Sequence, residues 1–147
     1  AADVQTAMRR FSRLSESEII TPEWVAKEMI DILPEDVTSE SKFLNIAGKT
    51  GEFEYAIIKR YGDDIKNNIY TIPTSGVTYE CTRKMFQLLG IPTKNIYTDF
   101  NSFDLIDKNK NQDIIKTLSD MKFDAVVGNP PYQRNQEKTI LETLERK

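Results

Sequence analysis

Strand-like and helical segments alternate along the chain at intervals of about one strand–helix unit, and this alternation limits the possible folds more than any other feature. The strand-like runs are Lys42 to Ile46, Asn68 to Ile72, Asn95 to Phe100 and Phe123 to Val127. Helical spacing fills the intervals. Phe53 to Tyr61 follows the first run. Thr78 to Leu89 follows the second, with Cys81, Met85, Leu88 and Leu89 on one face and Gly90 as its stop. Asn111 to Met121 follows the third, aligning Ile114, Leu118 and Met121, and Gln136 to Arg146 aligns Ile140, Leu141 and Leu144. The pattern predicts an α/β fold, a partial doubly wound parallel sheet with helices on both faces. Ligands of such sheets bind beyond the carboxyl ends of the strands, which directs attention to the loops after Ile46, Ile72, Tyr97 and Val127.

Two helices are expected ahead of the first strand. A leading helix carries Val4, Ala7, Met8, Phe11 and Leu14 at helical spacing. A second starts at Thr21-Pro22-Glu23, a hydroxyl cap followed by proline and an acid. It buries Val25, Met29, Ile32 and Leu33 and stops at Pro34. Trp24 and the tyrosines outside the last loop are expected in the core or an interface. Asp104 to Gln112 is polar and is expected to form an exposed loop.

Composition narrows the chemistry. The 147 residues contain no histidine, which removes imidazole bases and imidazole metal ligands. The single cysteine, Cys81, excludes an internal disulfide and a cysteine-based structural zinc site. It is expected to be a small buried apolar residue, and no metal site is expected. Twenty basic and 23 acidic residues give a net charge of −3, which argues against strong nucleic-acid binding by this chain alone. No apolar run approaches the ~20 residues that span a bilayer. Ala1-Ala2-Asp3-Val4 lacks a signal-peptide pattern, so a cytoplasmic protein without a membrane partner is expected.

The run Phe123-Asp124-Ala125-Val126-Val127-Gly128-Asn129-Pro130-Pro131-Tyr132 carries the most chemical information. Two prolines alone would make a rigid turn. The order of residues suits a further task. A conjugated NH₂ group is a poor nucleophile because its lone pair is delocalised. To methylate it, a site must draw both N–H bonds toward acceptors and let nitrogen become tetrahedral. Asn129 offers a side-chain carbonyl and Pro130 a backbone carbonyl, Pro131 stiffens the turn, and Tyr132 offers a ring to stack on the planar group.

Asn129-Pro130-Pro131-Tyr132 after an apolar strand resembles the catalytic motif of amino-group methyltransferases that use S-adenosylmethionine. The longer run from Phe123 to Gln133 is most similar to the N6-adenine DNA methyltransferases of restriction-modification enzymes. The resemblance covers residues 21 to 133. It implies a Rossmann-like methyltransferase fold, S-adenosyl-L-methionine as cofactor, and catalysis by Asn129, Pro130, Pro131 and Tyr132.

The family's cofactor loop reads acid-Pro-x-x-Gly-Ser/Thr-Gly-x-Phe. Here Asn45-Ile46-Ala47-Gly48-Lys49-Thr50-Gly51-Glu52-Phe53 stands in its place. Thr50, Gly51 and Phe53 match. Asn45 replaces the acid, Ile46 the proline and Lys49 the first glycine. Lys49 narrows the loop and adds a positive charge that suits the methionine carboxylate. The resemblance thus assigns the cofactor to Asn45, Ala47, Thr50, Gly51 and Phe53. It adds Thr21 and Pro22 near the methionine carboxylate and Asp99 with Phe100 beside the adenine. A helix cap explains Thr21-Pro22 equally well, and a turn cap and a core ring explain Asp99-Phe100 equally well. After the second strand the family's ribose-binding acid is replaced by Pro73-Thr74-Ser75-Gly76, where Ser75 either binds weakly or caps the next helix. Gly48-Lys49-Thr50 also looks like the end of a phosphate-binding loop, but Phe43 stands where that motif needs its first glycine.

The family's sheet has seven strands, so the chain is expected to be the N-terminal part of a catalytic domain. Residues 1–20 form its leading helix and residues 21–133 its cofactor and catalytic motifs. The remaining strands and the target-recognition region would lie elsewhere. Duplex DNA would then be bound through the full-length parent, and an open sheet edge would favour self-association. Two other readings remain. The same motif serves methyltransferases acting on a protein glutamine amide or an RNA base. A non-catalytic binding module would keep the fold with a degenerate cofactor site.

Overall fold

The computed structural model describes Val4 and residues 20–130. The expected helices at the two ends of the chain, with Pro131, Tyr132 and Gln133, lie outside the described residues. In chain order the elements are α1 (Glu23–Asp31), β1 (Phe43–Gly48), α2 (Glu52–Tyr61), β2 (Ile69–Pro73), α3 (Gly76–Leu89), α4 (Asn111–Met121) and β3 (Ala125–Val127). Short 3₁₀ turns at Asp63–Asn68, Thr93–Asn95 and Ser102–Leu105 join them.

The strands form a parallel sheet in the order β2-β1-β3. Phe43 of β1 lies beside Ile69 on one side and Ala125 on the other. Ile96 bridges Thr71 in the parallel sense at the far edge of β2. That bridge is all that forms of the strand expected over Asn95–Phe100. The 3₁₀ turn holds the chain up to Asn95. Tyr97 N–H gives one bond to the Thr71 carbonyl, and Asn101 then caps the turn at Ser102–Leu105. Too few residues remain extended to continue the ladder. Counting the bridge, the spatial order places β1 where the winding reverses, between β2 and β3. This is a partial Rossmann-like arrangement.

The alternation of β1 separates two cores. Phe43 joins Ala26 and Ile30 of α1, Phe53 and Ile57 of α2, and Met85 and Phe86 of α3. Leu44 and Ile46 face the opposite layer with Ile72, Leu105, Ile114 and Leu118. Helices therefore cover both faces, and Cys81 is buried as expected. Ser75 caps α3 by accepting from Thr78 N–H, while its own N–H is bonded by the Thr78 hydroxyl.

Several expectations are corrected. Thr21 is not the side-chain cap of α1, because Pro22 occupies the cap position with no side-chain bond. Trp24 is 64% exposed. Of the expected stripe on α1, Ile32 is 83% exposed, and the fully buried residues are Ala26 and Ile30. The reason is that α2 packs against one side of α1, whereas Met29, Ile32 and Leu33 look onto a groove beside β3. Leu88 is also exposed, and Leu105 of the expected loop is a core residue.

Candidate active site

The loops that leave β1 and β3 meet at the winding reversal, and two close backbone approaches allow it. A Cβ on Gly48 would lie 2.9 Å from Thr71 Cγ2. Gly128 has φ +150°, and a Cβ there would lie 2.8 Å from Ile46 Cγ1. Glycine is required at both places for space, and at Gly128 for conformation as well.

Asn129 follows directly. Its side-chain Nδ2 donates to Thr21 Oγ1 at 2.9 Å, and its backbone carbonyl accepts from Lys49 Nζ at 2.9 Å. Its Oδ1 is buried and has no hydrogen-bond partner. Thr21 is buried, and Lys49 is only 1% exposed. The Asn129 side chain is thus tied to Thr21 and its backbone carbonyl to Lys49, with Oδ1 enclosed and unpartnered. Pro130 and Gly128 line one end of the apolar groove of about 760 Å³ that runs along β3 past Leu33 and Ile115.

Beneath this cluster lies a buried polar network. Glu54 Oε1 accepts from Asn45 Nδ2 at 2.8 Å and from the Thr71 hydroxyl at 2.6 Å, while Oε2 has no partner. Asn45 Oδ1 accepts from Ala47 N–H at 3.0 Å, which shapes the turn out of β1. Burial pushes the Glu54 carboxyl above its ordinary range, against the lowering effect of its two donors. The Glu52 carboxyl is also raised, chiefly by burial and secondarily by Glu54, although the Thr50 hydroxyl bonded to it and Lys49 oppose the rise.

A second cavity, of about 500 Å³, opens beyond the ends of β2 and the Ile96 bridge. Asp99 and Phe100 line it together with Ser75, Gly76, Tyr79 and Tyr97. Tyr97 stacks on Phe100 with ring centroids 5.0 Å apart, and burial raises its phenol pKa above the usual value. A carboxylate beside stacked rings in a cavity of this size suits a purine nucleoside.

The structure therefore brings Thr21, Lys49 and Asn129 into one cluster and Asp99 with Phe100 into another. Pro22 is exposed at the head of α1. Asn45, Ala47, Thr50, Gly51 and Phe53 are all buried, with Phe53 in the core and Asn45 bonded to Glu54. Sequence reasoning missed Glu54. The available signal was that Asn45 and Thr71, polar residues in apolar strands, are register partners and need a third polar group. It also missed the contact from Lys49 to Asn129.

Among the described residues no cluster of histidine, cysteine or carboxylate side chains is arranged to hold a metal ion, and no helix is long and apolar enough to cross a membrane. The model of the Eco57I restriction-modification methylase family matches residues 29–147. Neither a search of curated proteins nor a search of solved structures found a match.

Proposed function

The chain belongs to the Eco57I restriction-modification methylase family and is a methyltransferase of that kind, and from this premise we propose that it transfers a methyl group from S-adenosyl-L-methionine to N6 of adenine in duplex DNA, as the catalytic core of a larger enzyme. The observation that carries the reading is the Asn129 amide just past the end of β3, tied by Thr21, with Oδ1 enclosed and without a hydrogen-bond partner. A buried acceptor without a donor costs roughly 1–3 kcal/mol. A substrate amine that reached Oδ1, once the turn had shifted to uncover it, would supply the missing N–H and relieve that cost.

The adenine has to leave the base stack to reach a site this enclosed. Asn129 Oδ1 then accepts one N–H of its amino group, and the Pro130 carbonyl accepts the other. As nitrogen pyramidalises, both bonds hold its lone pair in one direction. Tyr132 stacks on the base. No strong base is required, and water takes the surplus proton. When bound, the cofactor supplies the electrophilic methyl group. The second cavity fits its adenine end: Asp99 would accept from the adenine amino group, and Phe100 would pack beside the ring. Of the residues expected at the methionine end, Thr21 is tied to Asn129 and Pro22 is exposed at the head of α1, while Asn45, Ala47, Thr50, Gly51 and Phe53 are buried, with Asn45 turned onto Glu54 and Phe53 into the core. Ser75 serves as a helix cap, so the ribose finds no acid there. Alignment of this kind accounts for much of the rate in two-substrate reactions.

The test is transfer of label from radiolabelled cofactor by the parent enzyme. Duplex DNA should be labelled at adenine N6, and Asn129→Ala should reduce the rate at least ~100-fold while the fold is kept. Label in RNA or in protein glutamine instead would overturn the substrate assignment. An unimpaired Asn129→Ala variant would remove Asn129 from its role.

A further inference from the structure

We propose that Lys49 is a positioning residue that restrains the plane of the Asn129–Pro130 peptide, and with it the turn that carries both acceptors of the amine cradle. The proposal rests on the reading of Asn129 given above.

The argument starts from a contact between two loops. Lys49 stands where the resembling motif has glycine. Its side chain is enclosed, and its ammonium group donates to the Asn129 backbone oxygen at 2.9 Å. A bond from a charged donor is shorter and stronger than a neutral one, and water does not compete for it in an enclosed place. The peptide that contains this oxygen is planar, so fixing the oxygen fixes the plane. The next residue is Pro130, whose ring holds φ near −65°. Only Pro130 ψ then separates the fixed plane from the Pro130 carbonyl. On the other side, the Asn129 side chain is tied to Thr21. Lys49 and Thr21 together leave the turn little freedom.

The base of Lys49 is itself anchored. Its backbone carbonyl accepts from the Thr82 hydroxyl of α3 at 3.4 Å. The path from α3 through Lys49 to Asn129 links the two loops at the winding reversal, where β1 and β3 are direct neighbours. Pro130 has no N–H and cannot join a backbone ladder at this point. A donor from another loop is the physical answer, and a glycine at position 49 would not provide one.

The experiment needs a readout that does not depend on activity. In the ¹⁵N-labelled 147-residue chain, the Asn129 side-chain amide pair is assigned by its disappearance in Asn129→Ala. Lys49→Met should shift or broaden that pair, with the remaining amide spectrum reporting that the fold is kept. Lys49→Arg, which restores a charged donor, should return it toward the wild-type position. In the parent enzyme Lys49→Met should lower kcat ~100-fold with KM for DNA unchanged, and Lys49→Arg should recover part of the loss. Unchanged Asn129 resonances in Lys49→Met overturn the proposal, as does wild-type kcat in a folded Lys49→Met. If Lys49→Met does not fold, Lys49→Gln takes its place with the same two criteria. Resonances that respond as expected, together with full transfer by Asn129→Ala, would uphold the Lys49 contact and refute the function assigned to Asn129.

Discussion

Gly128→Ala offers a direct test of how the site is carried by the fold. Two costs arise at this position. The backbone has φ +150°, a region in which a residue with a Cβ is strained by roughly 1–3 kcal/mol. The new methyl would also meet Ile46 Cγ1 at 2.8 Å, Asn45 Oδ1 at 3.2 Å and Ile46 N at 3.3 Å. The first neighbour is a side chain that gives a little. The last is backbone of the central strand and does not. Overpacking of this kind costs a further ~1–3 kcal/mol. The sum is about 3 kcal/mol or more, a large share of the ~5–15 kcal/mol that stabilises a typical domain.

At this chain length about 3 kcal/mol corresponds to a fall in Tm of roughly 12 °C, read by calorimetry or by circular dichroism. The internal control is Gly76→Ala. A Cβ at Gly76 meets nothing within 4 Å, so that variant should match the wild type or exceed it slightly. The Gly128 variant should also lose methyl transfer disproportionately, because Asn129 is the next residue and a shift of about 1 Å at a reacting group costs ~100-fold. If Gly128→Ala melts with Gly76→Ala and keeps its activity, the close packing of β3 on β1 is not what places Asn129.

Three further outcomes follow from other parts of the structure. Because burial raises the Glu54 pKa in the folded chain, the folded state holds the proton more tightly than the unfolded state. Stability should therefore fall as pH rises from the unfolded carboxylate range through the folded pKa. Glu54→Gln should flatten that slope and be the more stable form at pH 8, whereas a slope unchanged in urea titrations would mean that Glu54 is not its source. Ser75→Ala removes the reciprocal cap of α3 and should cost about 1 kcal/mol in chemical denaturation, so an unchanged midpoint would deny the cap a role. Finally, among the described residues β3 lies at an edge of the sheet with Val126 46% exposed, and the chain should associate reversibly in sedimentation velocity. Val126→Lys should leave a monomer, and a wild-type chain that is monomeric at every concentration would refute edge pairing.

The sequence was most readable where a single period governs a segment. The span Asn111–Met121 follows from its helical spacing alone, and Gly90 marks the end of α3 because a left-handed cap needs glycine there. The parallel sheet followed from the alternation of elements. Where a neighbour decides, the pattern was not enough. Ile32 and Leu88 sit at apolar spacing yet are exposed, because a stripe states what could be covered and not what covers it. The third strand failed because turns on both sides of Ile96 consume the backbone that pairing needs. The Lys49 contact was illegible for another reason: it joins residues far apart in the chain, and only the β1–β3 neighbourhood brings them together.

That neighbourhood also bears on whether the departures from the cofactor-loop pattern mark a decayed site. Asn45 in place of an acid and Lys49 in place of glycine would each be costly if buried alone, since an unmatched polar group in the interior loses its water without return. Neither is alone. The Asn45 amide is bonded to Glu54 and its oxygen to Ala47 N–H, while Lys49 spends its charge on the Asn129 carbonyl. Burial raises the Glu54 pKa, and its Oε1 supplies the acceptor that the Asn45 amide meets. Substitutions that arrive with their partners describe a loop rebuilt around a different polar arrangement. Among the described residues the buried side-chain atoms left without partners are Glu54 Oε2 and Asn129 Oδ1, the second in the turn that follows β3.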